Sequence, residues 1–254
     1  MISKTFRIAL TIVLASFALS SAAGATCSNA SLSGTYGFQH DGTDSTGAPT
    51  SAAVSQLTFD STTGTFTGET TASHDGVIVT DPLAGTYTIA KNCTGTGTPA
   101  GGSPFSIVVT STGFLAVHPF SEGFAVKQGS PACTNDGVKG TYGFETTGVF
   151  LAGAPATGSV AFIGELKFTL NASGGGVISG RIAGAEDATA LTFAGEPVTG
   201  YYRIGANCRG TATVKPEGQP EMHFNLVIVD SGKEMLAVET DADTVVSGTL
   251  LKGD

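Results

Sequence analysis

The chain has 254 residues, a net charge of −9 at neutral pH, 36 glycines, no tryptophan and only 13% charged residues. An acidic surface repels phosphate, which argues against nucleic acid and anionic lipid as partners. Low charge with abundant Thr, Val and Phe points to strands, and abundant glycine to tight turns and bulges.

Lys4 and Arg7 precede an almost wholly apolar run, Ile8 to Leu19, and then small residues ending in Ala23-Gly24-Ala25. That run is too short to span a bilayer comfortably and has the layout of a cleavable leader. Residues 1–25 are therefore predicted to be a signal peptide, with an uncleaved anchor as the alternative. Cleavage before Thr26 moves the net charge from −9 to −11. No later stretch is apolar enough for a transmembrane segment, so the mature chain is predicted to be secreted, periplasmic or held at the cell surface.

From Thr26 the sequence reads twice. Cys27-Ser-Asn-Ala-Ser-Leu-Ser-Gly-Thr-Tyr-Gly-Phe38 matches Cys133-Thr-Asn-Asp-Gly-Val-Lys-Gly-Thr-Tyr-Gly-Phe144 without a gap. Leu57-Thr-Phe59 matches Leu166-Lys-Phe168, and Gly64 to Gly68 matches Gly176 to Gly180. Gly85 to Thr96 matches Gly200 to Thr211, Phe105 to Val109 matches Phe224 to Ile228, and Leu115-Ala-Val117 matches Leu236-Ala-Val238. Two units follow, 26–130 and 131–254, joined by the short, turn-like Gln128-Gly-Ser-Pro-Ala132.

Within each unit apolar residues alternate with polar ones. Leu166, Phe168 and Leu170 share one face of a segment whose other face carries Glu165, Lys167 and Thr169. Such alternation describes half-buried antiparallel strands. Turn signals such as Asp75-Gly76 and Asp230-Ser-Gly232 separate seven or eight of them per unit. The prediction is an all-β protein of two tandem small antiparallel β-barrels, with β-sandwiches as the alternative. Closure is preferred because it removes exposed strand edges, and Gly37 and Gly143 suit the bends a closed sheet needs.

Four cysteines allow three pairings, and their matching places in the repeat select Cys27 with Cys93 and Cys133 with Cys208. Each bond closes a loop of about 65 to 75 residues, worth roughly 4 kcal/mol on chain entropy. There is no C-x-x-C spacing, so a metal or redox role is not indicated and no cofactor is predicted.

Residues that could carry chemistry are sparse. His40, His74, His118 and His223 are not matched between the copies; Thr146, for example, stands opposite His40. A shared catalytic or metal-binding histidine is therefore not supported. Asp41, Asp44, Asp241 and Asp243 lack the dense spacing and central glycine of a calcium loop. Neither a nucleophile elbow nor a phosphate-binding loop is present. Tyr36, Phe38 and Tyr87 of the first copy match Tyr142, Phe144 and Tyr202 of the second. They read as an aromatic cluster at a barrel end or, alternatively, as the lining of a cavity.

The pattern Cys-x6-Gly-x-Tyr-x-Phe, followed by Gly-x-Tyr-x-Ile-x-x-Asn-Cys-x-Gly-Thr, resembles a group of secreted bacterial tandem-repeat proteins found in soil lineages such as acidobacteria. The group has no established activity, so the resemblance implies no functional residues. The strand count is also loosely similar to lipocalin-like and allene-oxide-cyclase-like barrels, an analogy of fold alone. The expected role is a non-enzymatic exported binding or cell-surface protein for a small apolar ligand, a glycan or an envelope component. A structural or matrix protein, and a barrel isomerase or cyclase, are the alternatives.

Overall fold

A computed structural model of the chain describes residues 26–129, 133–154, 157–186 and 191–253. The predicted signal peptide, residues 1–25, lies outside them. The first unit forms β1 (Gly34–Thr43), β2 (Pro49–Asp60), β3 (Thr65–His74), β4 (Val77–Ile89), β5 (Thr94–Pro99), β6 (Phe105–Val109), β7 (Gly113–His118) and β8 (Ser121–Lys127). The second forms β9 (Gly140–Phe150), β10 (Gly158–Leu170), β11 (Gly176–Glu186), β12 (Leu191–Ile204), β13 (Arg209–Pro216), β14 (Met222–Val229), β15 (Glu234–Glu239) and β16 (Thr244–Lys252).

Each set of eight closes into an antiparallel barrel. The closing ladders are equivalent: Tyr36 of β1 pairs with Lys127 of β8, and Tyr142 of β9 with Lys252 of β16. Closure replaces the sandwich alternative, since each of the sixteen strands pairs on both sides. Turn chemistry matches the sequence signals. Asp75 and Gly76 both take positive φ, 49° and 79°, as a two-residue hairpin turn between His74 and Val77 requires.

One end of each barrel is sealed by the residues after its first cysteine. Asn29 Oδ1 accepts the Ile89 amide at 2.8 Å, and the Tyr87 hydroxyl donates to the Asn29 carbonyl at 3.1 Å. In the second barrel Asn135 Oδ1 accepts the Ile204 amide at 2.7 Å, and the Tyr202 hydroxyl donates to the Asn135 carbonyl at 2.9 Å. Leu32 and Val138 plug the two floors and are fully buried. The disulfides Cys27–Cys93 and Cys133–Cys208 pin the same ends, with Cα separations of 4.9 and 4.7 Å. Such bonds belong to an oxidising compartment. No helix among the described residues is long and apolar enough to cross a membrane.

The barrels pack side by side. Ala52 and Val54 on the outside of β2 meet Val227, Val229, Leu236, Val238 and Val245 on the outside of β14 to β16. Polar bonds frame this apolar contact. Gln128 Nε2 donates to the Ile228 carbonyl at 2.9 Å near the sealed ends. Gln39 Nε2 donates to Ser247 Oγ at 3.2 Å, and Ser247 Oγ donates to Asp41 Oδ1 at 2.7 Å. Arg209 pairs with Glu69 and donates to Thr71 Oγ1, and near the open ends Ser73 Oγ donates to the Thr244 carbonyl. Like ends are thus joined to like ends, and both mouths open on the same side.

Candidate functional site at the mouth of the first barrel

Strand alternation sends every second residue inward, and height along the strand sets its level. The lower half of the first barrel is filled by aromatic side chains. Phe59 meets Tyr36 and Tyr87 edge-on, with ring centres 5.6 and 5.0 Å apart. In the second barrel Phe168 meets Tyr142 at 5.2 Å and Tyr202 at 5.0 Å. The four tyrosines singled out in the sequence therefore sit in the packed floors. Burial pushes the Tyr142 and Tyr202 hydroxyls up to about 12.

Above the floors the barrels differ. The first is hollow, with a cavity of about 250 Å³ at its mouth; the matching space in the second is about 30 Å³. Phe38 lines the former and Phe144 the latter. Four inward positions account for the contrast. Ser51, Ala53, Thr70 and Ser121 of the first barrel correspond to Val160, Phe162, Ile182 and Val246 of the second. Val160, Phe162 and Val246 form their own buried cluster. Phe162 lies across Gly184, where an added Cβ would stand 2.2 Å from its Cδ1. Among the described residues the second mouth is filled by its own side chains, while the first has small ones in their place.

Three strands bring imidazoles to this hollow: His40 from β1, His74 from β3 and His118 from β7. Phe38, Phe66 and Phe105 form the apolar wall below them. The His40 ring stacks on Phe38 with centres 5.5 Å apart, and its buried Nδ1 has no hydrogen-bond partner among the described residues. Burial, reinforced by the neighbouring His74, lowers the His40 pKa to about 4, so its imidazole is neutral across the physiological range. Among the described residues no three of His, Cys, Asp or Glu are placed to share one metal ion.

Comparing the two copies conceals this cluster. The places of His40, His74 and His118 are taken in the second unit by Thr146, Glu186 and Glu239, so the histidines read as unrelated singletons. The available signal was their common level: each sits at an inward position toward the same open end of its strand. His223 is elsewhere, on the outside of the second barrel, where its Nδ1 lies 2.7 Å from Asp241 Oδ1. Asp44 is occupied within its own loop, and Asp41 by the other barrel. Asp44 accepts the amides of Thr46 and Ala48 at 2.7 and 3.0 Å, and Asp41 accepts the Ser247 hydroxyl.

No family model and no curated protein matches the chain. Among solved structures it is similar to a DUF3598-family protein of unknown function from Nostoc punctiforme PCC 73102. Identity there is 10%, with 88% of this chain and 97% of that one covered and a TM-score of 0.26. A porin-like protein from Bacteroides uniformis ATCC 8492 is 8% identical over 86% of this chain and 97% of that one, with a TM-score of 0.20. Likenesses this distant say nothing about the site.

Proposed function

We propose that the protein is an exported binding protein that takes a small amphipathic molecule into the mouth of its first barrel without transforming it. One observation carries this reading: at equivalent positions the first barrel has Ser51 and Ala53 and is hollow, whereas the second has Val160 and Phe162 and is filled. The cavity has the room of about eight liquid waters, enough for a small aromatic or branched aliphatic group. Its wall suits an apolar end, and the unpartnered His40 Nδ1 suits a hydrogen-bonding head. The leader-like N-terminus and the two disulfides support export.

Calorimetric titration with 3-phenylpropanol and 3-phenylpropionate tests the reading, alongside a native mass spectrum of protein from its own host. The expected result is one bound molecule per chain, abolished by Ala116→Trp, which fills the cavity, in a variant whose circular dichroism is unchanged. Absence of binding by both probes together with an empty native spectrum overturns it. So does binding that Ala116→Trp and a second plug, Ala72→Phe, both leave intact.

A further inference from the structure

The contact between the two barrels joins unlike faces. The first barrel offers the outside of β1 and β2; the second offers the outside of β14, β15 and β16. Because the barrels are copies of one unit, each also has the face that the other uses. Among the described residues nothing covers either of these remaining faces.

On the first barrel, the ladder pairs Val108–Leu115 and Val117–Glu122 occupy the places that Val227–Leu236 and Val238–Ser247 occupy in the second. Phe120 likewise matches Val245. Val227, Leu236, Val238 and Val245 are at most 2% exposed, whereas Val108, Leu115, Val117 and Phe120 are 46% to 57% exposed. On the second barrel, Gly143 and Ile163 match Gly37 and Val54, and Leu251 matches Val126. A Cβ on Gly37 would stand 2.4 Å from Val229 Cγ1 and 2.9 Å from Val227 Cγ1, so this glycine is a socket for the other barrel. Gly143 keeps the socket with nothing within 4 Å of it, in a surface trough of about 590 Å³. Eight large apolar side chains are exposed among the described residues. All but Val77 and Tyr201 belong to these two faces: Val108, Leu115, Val117, Phe120, Ile163 and Leu251.

We propose that these faces bind each other between copies of this chain, the β9–β10 face of one copy docking on the β6–β8 face of the next in the geometry of the intrachain contact. Unlike faces joined this way form an interface that does not close on itself in a dimer, so assembly continues into a row or a ring. Val108 and Leu115 of the incoming copy fill the socket at Gly143. The polar frame is less favourable than inside the chain. Glu145 and Glu122 stand where Gln39 and Ser247 stand, and Arg181 with Thr94 stands where Glu69 with Arg209 forms an ion pair. Glu165 beside Arg181 and Asp41 beside Glu122 are the other charges at this seam. Two facing carboxylates, Glu145 and Glu122, oppose docking, and the apolar contact must outweigh them.

Sedimentation velocity of the purified protein, from micromolar to millimolar concentration, tests this. Mass is expected to rise past the dimer in steps of one chain. Leu115→Lys and Ile163→Lys, both on exposed surface, each stop growth when alone. Mixed, they form a capped heterodimer, because each retains the face the other has lost. A monomer under all conditions, a dimer unaffected by either substitution, or a mixture that stays monomeric overturns the proposal.

Discussion

Gly37 lies flat against Val229 of the second barrel, so close that a single added carbon would fall 2.4 Å from Val229 Cγ1. A carbon added to its sequence twin Gly143 would meet nothing within 4 Å. The two glycines look like bend residues in the sequence, but only the first is required, and what requires it is the neighbouring barrel. Gly37→Ala is expected to cost about 1–3 kcal/mol through overpacking of the barrel contact. Gly143→Ala, measured in dilute solution, is expected to change stability by less than about 0.5 kcal/mol. Urea unfolding of the two variants side by side checks the difference.

The floors give a second prediction. Tyr87→Phe and Tyr202→Phe each remove one hydroxyl that donates to a backbone carbonyl, and should cost about 1 kcal/mol. Asn29→Ala and Asn135→Ala should cost more, about 1–3 kcal/mol, because each leaves an interior amide, that of Ile89 or Ile204, without its acceptor. Equal losses in the two barrels, read from chemical unfolding, would show that the copies share one floor design. A loss confined to one barrel contradicts it.

Much of this architecture is legible in the sequence because it depends on what the copies share. Cysteines at matching places gave the disulfide pairing, and period-two alternation gave strands of the right facing. The site depends on what the copies do not share. Ala53 and Phe162 are ordinary strand residues until closure places them at the same height in two mouths, where their difference in volume decides hollow against filled. Leu115 and Leu236 are beyond any such comparison: identical residues in identical motifs, one exposed and one buried, distinguished only by which barrel has a neighbour on that side.

Both disulfides close long loops, with sequence separations of 66 and 75. Replacing Cys27 and Cys93 together by serine should lower stability by up to about 4 kcal/mol, and the Cys133/Cys208 pair by a similar amount. Because each bond lies within one barrel, differential scanning calorimetry should show the loss mainly in that barrel's transition. A loss shared equally by both barrels would mean that the contact through Val54, Val229 and Leu236 makes them unfold as one unit.

Two buried groups give stability opposite pH dependences. Glu239 points into the second barrel near its mouth, and its Oε2 has no hydrogen-bond partner among the described residues. Burial, with Asp241 beside it, raises its pKa to about 8. The folded state therefore holds a proton that the unfolded chain releases above the ordinary carboxylate range. This contribution is complete below about pH 4.3 and is lost as pH rises through about 8. His40 is the converse: its pKa of about 4 lies below the usual imidazole value. Its contribution is complete above about pH 6.5 and is lost as pH falls through about 4. Glu239→Gln should flatten the alkaline side of the stability profile, gaining on the order of 1–3 kcal/mol at pH 9. His40→Gln should flatten the acid side between pH 6.5 and 4 and leave the alkaline side unchanged. Melting temperatures of the three proteins from pH 4 to 9 decide the matter. Parallel curves would mean that neither group titrates in the folded state as its surroundings demand.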